Sequence, residues 1–173
     1  DHSFEQLSKL KSLPNILLYI DQIMNEGRLG LAEKKCREFL KKNPTHSYAM
    51  SQLSEIANRL GYFDDAETLL EKAVEFNPND GELRMKYAMI LRKKQKFAKT
   101  MQQVNILCEK FPNNLSYQAQ KASEMMQNGD HNEAIELFDK ILSKNPYNFS
   151  SLTSKGHAQK TLGLTNDAIQ SYQ

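Results

Sequence analysis

The sequence predicts an all-α solenoid built from antiparallel helix pairs, and three observations predict it. Pro44, Pro78, Pro112 and Pro146 follow one another at intervals of 34 residues. In the same gap-free register one column reads Gly27, Gly61, Gln95, Gly129, Gly163 and another reads Ala32, Ala66, Thr100, Ala134, Ala168. Between these columns the apolar residues recur at helical spacing. A two-helix unit cannot bury its apolar face alone, so repeated units must stack.

The register divides the chain into units 13–46, 47–80, 81–114, 115–148 and an incomplete 149–173. Before them, Phe4, Leu7 and Leu10 stand at helical spacing, so residues 1–12 are expected to form a leading helix against the first unit. In the second unit Met50, Leu53, Ala57 and Leu60 share one face of a first helix. Gly61 sits where that helix must end, at a place where glycine takes a positive φ without a Cβ penalty. Ala66, Leu70 and Ala73 form the matching stripe of a second helix, and Ala66 is small enough for the two backbones to approach. The stretch "AVEFNPND", residues 73–80, then closes the hairpin, with Asn77-Pro78 stopping one helix and Asn79-Asp80 offering a cap for the next. Asn43-Pro44, Phe111-Pro112 and Asn145-Pro146 repeat the stop.

The third unit has Gln95 and Thr100 in place of Gly and Ala, and its helix packing is the least supported by the pattern. The fourth restores it through Ala122, Met125, Gly129, Ala134, Phe138 and Ile141. The fifth stops within its second helix, which leaves Ile169 and Tyr172 partly bare. Together with the missing initiator Met, this creates the expectation that more chain belongs to the natural protein.

Composition narrows the function classes. With 39% hydrophobic and 25% charged residues, the chain is neither disordered nor fibrous. No apolar run approaches the ~20 residues that span a bilayer, and the start DHSFEQLSKLKS lacks a signal-peptide pattern, so no membrane association is expected. A net charge of +2 argues against a protein that mainly grips nucleic-acid phosphates. Cys36 and Cys108 lie far apart without metal-ligand spacing and are read as reduced, buried thiols in a cytoplasmic setting, with a disulfide or a reactive thiol as the alternatives.

No phosphate loop, nucleophile elbow or H-E-x-x-H zinc helix is present, and the histidines are scattered across units, so no catalytic residue, cofactor or metal site is assigned. His46 and His131 fall in turns and are read as solvated. "RKKQKFAK", Arg92 to Lys99, holds five basic residues. It is read as a solvated turn that complements a helix C-terminus, with an anionic partner as the alternative; Phe97 is its only aromatic, which weakens a nucleic-acid version.

The 34-residue period, the small residues at position 20 and Pro at position 32 resemble the tetratricopeptide repeat, over nearly the whole of residues 13–173. The aromatic common at position 4 is absent here, where Ile16, Met50, Arg84, Gln118 and Leu152 stand. The resemblance implies a right-handed superhelix whose concave groove binds a peptide or helix of a partner protein, lined by positions 2, 5, 9 and 12 of each first helix. Those columns supply, among others, Leu17, Asp21, Met24, Tyr48, Glu55, Asn58, Met85, Met89, Arg92, Ala119, Met126, His157 and Lys160. Methionine suits surfaces that accept varied apolar partners, although Met24, Met85, Met89 and Met126 are equally readable as packing between hairpins. Repeats that clamp the C-terminal carboxylate of heat-shock chaperones carry a basic and amide pattern that this chain matches only at Lys86, against Leu17, Asp21, Gln52 and Glu82, so no such clamp is expected. A narrower likeness, in "KGHAQKTLGLTNDAIQSYQ", residues 155–173, is to bacterial proteins in which such an array precedes a sulfotransferase domain. It implies an alternative role as the partner-binding arm of a larger enzyme that uses phosphoadenylyl sulfate.

Overall fold

A computed structural model describes residues 13–173; the expected leading helix at 1–12 lies outside the described residues. Among the described residues there are ten helices and no strand. They are α1 (Asn15–Asn25), α2 (Leu29–Lys42), α3 (Ser47–Arg59), α4 (Phe63–Phe76), α5 (Gly81–Lys93), α6 (Phe97–Lys110), α7 (Leu115–Asn128), α8 (His131–Lys144), α9 (Phe149–Thr161) and α10 (Thr165–Tyr172). The chain divides into two compact units, residues 1–90 and 91–173, and the division falls within α5.

The column of Gly and Gln marks the turn inside each hairpin. At the end of α3, Gly61 donates to the Asn58 carbonyl at 3.2 Å and Tyr62 to the Ala57 carbonyl at 2.8 Å. This is the paired hydrogen bonding of a Schellman turn, and it needs a left-handed residue at its hinge. Gly61 supplies it at φ 84°. Gly27, Gly129 and Gly163 do the same, and Gln95 adopts φ 58°, the one positive-φ residue other than glycine among the described residues. Its turn makes the same two bonds, Gln95 to Arg92 at 2.8 Å and Lys96 to Leu91 at 2.9 Å.

A different signal separates one hairpin from the next. Asn77 donates to the Ala73 carbonyl at 3.0 Å, and three residues later Asp80 Oδ1 accepts from Glu82 N at 3.1 Å and Leu83 N at 3.2 Å. Asn114 and Asn148 cap α7 and α9 in the same way, and His46 caps α3 through Nδ1, which accepts from Ala49 N at 3.3 Å. His46 is therefore a capping residue, packed edge-on against Phe39, rather than a solvated turn histidine. His131 is also half-buried at the start of α8, with a buried Nδ1 that has no hydrogen-bond partner.

Burial follows the small-residue column. Ala32, Ala66 and Ala134 are 0% exposed, Ala168 is buried, and Thr100 takes the third position with its hydroxyl turned back to the Lys96 carbonyl at 3.1 Å. That internal bond satisfies the hydroxyl where Ala has nothing to satisfy. In the first unit the core gathers Leu17, Ile20, Ile23, Met24, Ala32, Cys36, Ala49, Leu53 and Ile56. The second unit has a core of Ala122, Ala134, Phe138 and Ile141. Leu60, expected on the buried stripe of α3, is exposed, because it is the C-cap residue where the helix already turns away. Ile169 and Tyr172 are about half exposed.

Both thiols are free. Cys36 is fully buried and donates to the Ala49 carbonyl at 3.1 Å; burial pushes its pKa up to about 12. Cys108 is half-buried, and burial raises its pKa as well.

Candidate functional site

In the first unit the first helices of successive hairpins are tied together by side chains at the groove columns. Asp21 of α1 receives the Tyr48 hydroxyl on Oδ2 at 2.7 Å and the Gln52 amide on Oδ1 at 2.7 Å. Gln52 Nε2 donates also to the Leu17 carbonyl at 2.8 Å, which fixes the orientation of the amide and leaves its buried Oε1 without a partner. From α5, Lys86 Nζ donates to Ser51 Oγ at 3.1 Å. Arg59 of α3 reaches the Met24 carbonyl at 3.1 Å and pairs with Glu55 at 2.9 Å. These contacts form a polar row that crosses α1, α3 and α5 within one unit.

The Tyr48 phenol is held well above its ordinary range by burial and then by the hydrogen bond to Asp21. It stays protonated and donating at any physiological pH, so the bond to Asp21 does not depend on a titration. Burial and the acceptor Glu71 likewise push the Tyr87 hydroxyl to about 12, fixing α5 against α4.

The expected groove residues divide into three sets. Asp21, Tyr48, Glu55 and Asn58 are half-buried, Met85 is half-buried, and Met89 is 59% exposed, so these six present atoms to solvent. Leu17 and Met24 do not: they are 0% and 5% exposed and belong to the core of the first unit. This corrects their assignment, and the reason is local. Leu17, Ile20 and Met24 lie at i, i+3 and i+7, the apolar stripe of α1, so columns 5 and 12 of this helix fall on its core side.

In the second unit Ala119 and Met126 are half-buried against the Phe138 core, while His157 and Lys160 are exposed, with the His157 ring edge-on to Tyr172 at 5.6 Å. Arg92 is engaged already: its guanidinium donates to the buried Glu124 Oε1 at 3.1 Å, an atom that also accepts from Gln120 at 2.6 Å. Removing Arg92 would leave a buried carboxylate short of its counter-charge, so its first role is structural.

Gln52 and Lys86 fall outside the groove columns although they build the polar row with Ser51, which is itself at position 5. Their signal lies in the sequence: both occupy position 6 of successive units, one residue from a groove-lining column. Among the described residues no group of His, Cys, Asp and Glu could hold a metal ion, and no helix is long and apolar enough to cross a membrane.

Residues 24–122 match the family described as the tetratricopeptide repeat. The chain belongs to that family. Solved structures agree on the tetratricopeptide fold. The crystal structure of MamA superposes with a TM-score of 0.78 at 18% identity, over 88% of this chain and 90% of that one. A tetratricopeptide repeat protein from Parabacteroides merdae gives 0.83 at 17% identity, over 91% of this chain and 62% of the other. YrrB, a tetratricopeptide protein described as having an unusual peptide-binding site, gives 0.74 at 14% identity, over 90% and 80%. No curated protein matches the chain. The family is one of non-catalytic scaffolds for protein interaction, and this chain has the fold of such a scaffold.

Proposed function

We propose that this tetratricopeptide protein binds an extended peptide or a helix of a partner protein on the face formed by α1, α3 and α5 of its first unit. The observation that carries the reading is the polar row of Asp21, Tyr48, Gln52, Ser51 and Lys86, with Met85 and the 59% exposed Met89 one turn apart on α5. Lys86, three residues before Met89, brings that methionine toward the same side. A peptide backbone needs fixed polar groups, which the half-buried Asp21 and Tyr48 and the exposed Lys86 supply while the buried Ser51 and Gln52 hold them in place, and an apolar anchor needs a deformable wall, which methionine supplies. YrrB, with its own peptide-binding site on the same fold, lends the ligand class.

His157 and Lys160 of the second unit are proposed to contact the partner beyond this face, and Ala119 and Met126 to serve mainly as packing. The free, protonated thiols fit a reducing, cytoplasm-like compartment. The role as the arm of a sulfotransferase rests on residues 155–173, which the family match at 24–122 does not reach.

The test is a selection of displayed random peptides on the immobilised chain. Peptides enriched on the wild type are expected to lose at least about tenfold in affinity, about 1.4 kcal/mol, on Met85→Glu/Met89→Glu, with helical circular dichroism unchanged. Enriched peptides that bind the double variant as well as the wild type would refute the reading. Unfolding of the variant would instead assign the two methionines to packing.

A further inference from the structure

The second unit carries a recess whose lining includes no groove-column residue, although Arg92 holds its Glu124 wall. It lies between the N-terminal turn of α6 and the C-terminal turn of α7 and has a volume of about 360 Å³. One wall is apolar, made by Phe97, Ala98 and Met101; the other is polar, made by Glu124, Gln127 and Asn128. Phe97, which lines the recess, is 52% exposed. The polar wall is rigid. Glu124 is 4% exposed and is held through Oε1 by Arg92 and Gln120, and Asn128 donates to Asp130 at 2.8 Å.

The surroundings are strongly basic. Residues 91–130 hold seven Lys and Arg against three Asp and Glu, and five of the seven fall between Arg92 and Lys99, in the turn that leads into Phe97. Of the three carboxylates, Glu124 is countered by Arg92 and Asp130 accepts from Asn128. A positive field of this kind concentrates negative partners, while the recess itself has room for a large apolar side chain and amides that can pair with a peptide backbone.

We infer that this recess and its basic rim form a second docking site, distinct from the first-unit face, for an acidic segment of a partner protein that inserts one large apolar side chain between Phe97 and Met101. The apolar side chain gives affinity by leaving water, and the acidic neighbours give rate and register by facing the Arg92–Lys99 turn. A nucleic acid fits less well, since one aromatic gives no run of stacking platforms and the recess wall carries a carboxylate. An anionic lipid surface is flat and has nothing to seat in a recess.

The experiment is an array of short acidic peptides with Leu, Phe, Tyr or Met at the centre, alongside the same peptides with a central Ala and a matching basic set, probed with the whole chain. Binding is expected for the acidic peptides with an apolar centre, weakened by salt and absent from the Ala-centred and basic sets. Phe97→Ala and Lys99→Glu, both surface changes, are each expected to weaken it at least about fivefold with unchanged circular dichroism. Met85→Glu/Met89→Glu is expected to leave it intact. The inference is overturned if no acidic peptide binds, if Ala-centred peptides bind equally, if Phe97→Ala has no effect, or if the groove variant abolishes binding. It is equally overturned if oligothymidine or phosphatidylserine vesicles bind at this rim more tightly than any peptide.

Discussion

The turn after α3 and the turn after α5 have the same hydrogen bonds but different chemistry. Gly61 closes the first at φ 84° and Gln95 closes the second at φ 58°; Ala66 follows the first and Thr100 the second. In both, the residue three past the end of the helix donates back across the hinge, Tyr62 to Ala57 and Lys96 to Leu91. The difference teaches that the left-handed hinge is imposed by the hairpin and not by glycine. A side chain placed there is strained, by roughly 1–2 kcal/mol for a residue with a Cβ, and is held by the packing of the two helices.

The largest effect should come from filling the small-residue column where it is tightest. Ala66→Leu inserts a branched side chain at a fully buried contact of α3 and α4 and is expected to destabilise by about 1–3 kcal/mol or more in urea unfolding. Thr100→Ala in the other hairpin should cost less, about 1 kcal/mol, because it removes one buried methyl and a hydroxyl already bonded back to Lys96. Equal effects at the two positions would break the comparison.

Next come the hinges themselves. Gly61→Ala is expected to cost about 1–2 kcal/mol although nothing lies within 4 Å of its added Cβ, since the penalty is backbone conformation and not space. Gln95→Gly should act in the opposite direction and stabilise by up to about 1 kcal/mol, offset in part by the freer unfolded chain. A destabilised Gln95→Gly would mean that the Gln side chain makes a contribution beyond the hinge.

Smaller still is the junction between hairpins. Asp80→Ala removes the acceptor for Glu82 N and Leu83 N and should cost about 1 kcal/mol, comparable with Asn148→Ala.

Alkaline pH reads mainly the first unit, which holds Cys36, Tyr48 and Tyr87, while Cys108 of the second adds in the same direction. The folded Cys36 thiol titrates near 12, above the unfolded value near 9, so the native state holds its proton longer. Stability is fully present below about pH 9 and falls as pH rises toward 12, with the Tyr48 and Tyr87 phenols adding in the same direction. A thiol reagent at neutral pH should modify the half-buried Cys108 well before Cys36, as read by mass spectrometry.

The fold was legible because it repeats. A single hairpin gives an ambiguous pattern, whereas four Pro, four Gly and four Ala aligned in one register fix helix ends and the closest helix contacts at once. The cap residues His46, Asp80, Asn114 and Asn148 were also one column, hidden because three side-chain types do the same hydrogen-bonding task. The site was less legible. Repeat columns say which face of a first helix a residue occupies in an average unit, but Leu17 and Met24 are set by the particular apolar stripe of α1, and Arg92 by a buried carboxylate 32 residues away. The polar row depends on pairings such as Asp21 with Tyr48 and Gln52, which arise only when neighbouring helices are brought side by side.

The most direct test of the proposed function is hydrogen–deuterium exchange of the chain with and without a peptide selected on it. Protection is expected in the segments of α1, α3 and α5 that carry Asp21, Tyr48 to Glu55, and Met85 to Met89. Protection confined to the second helices α2 and α4, or absent from the first unit altogether, would contradict it.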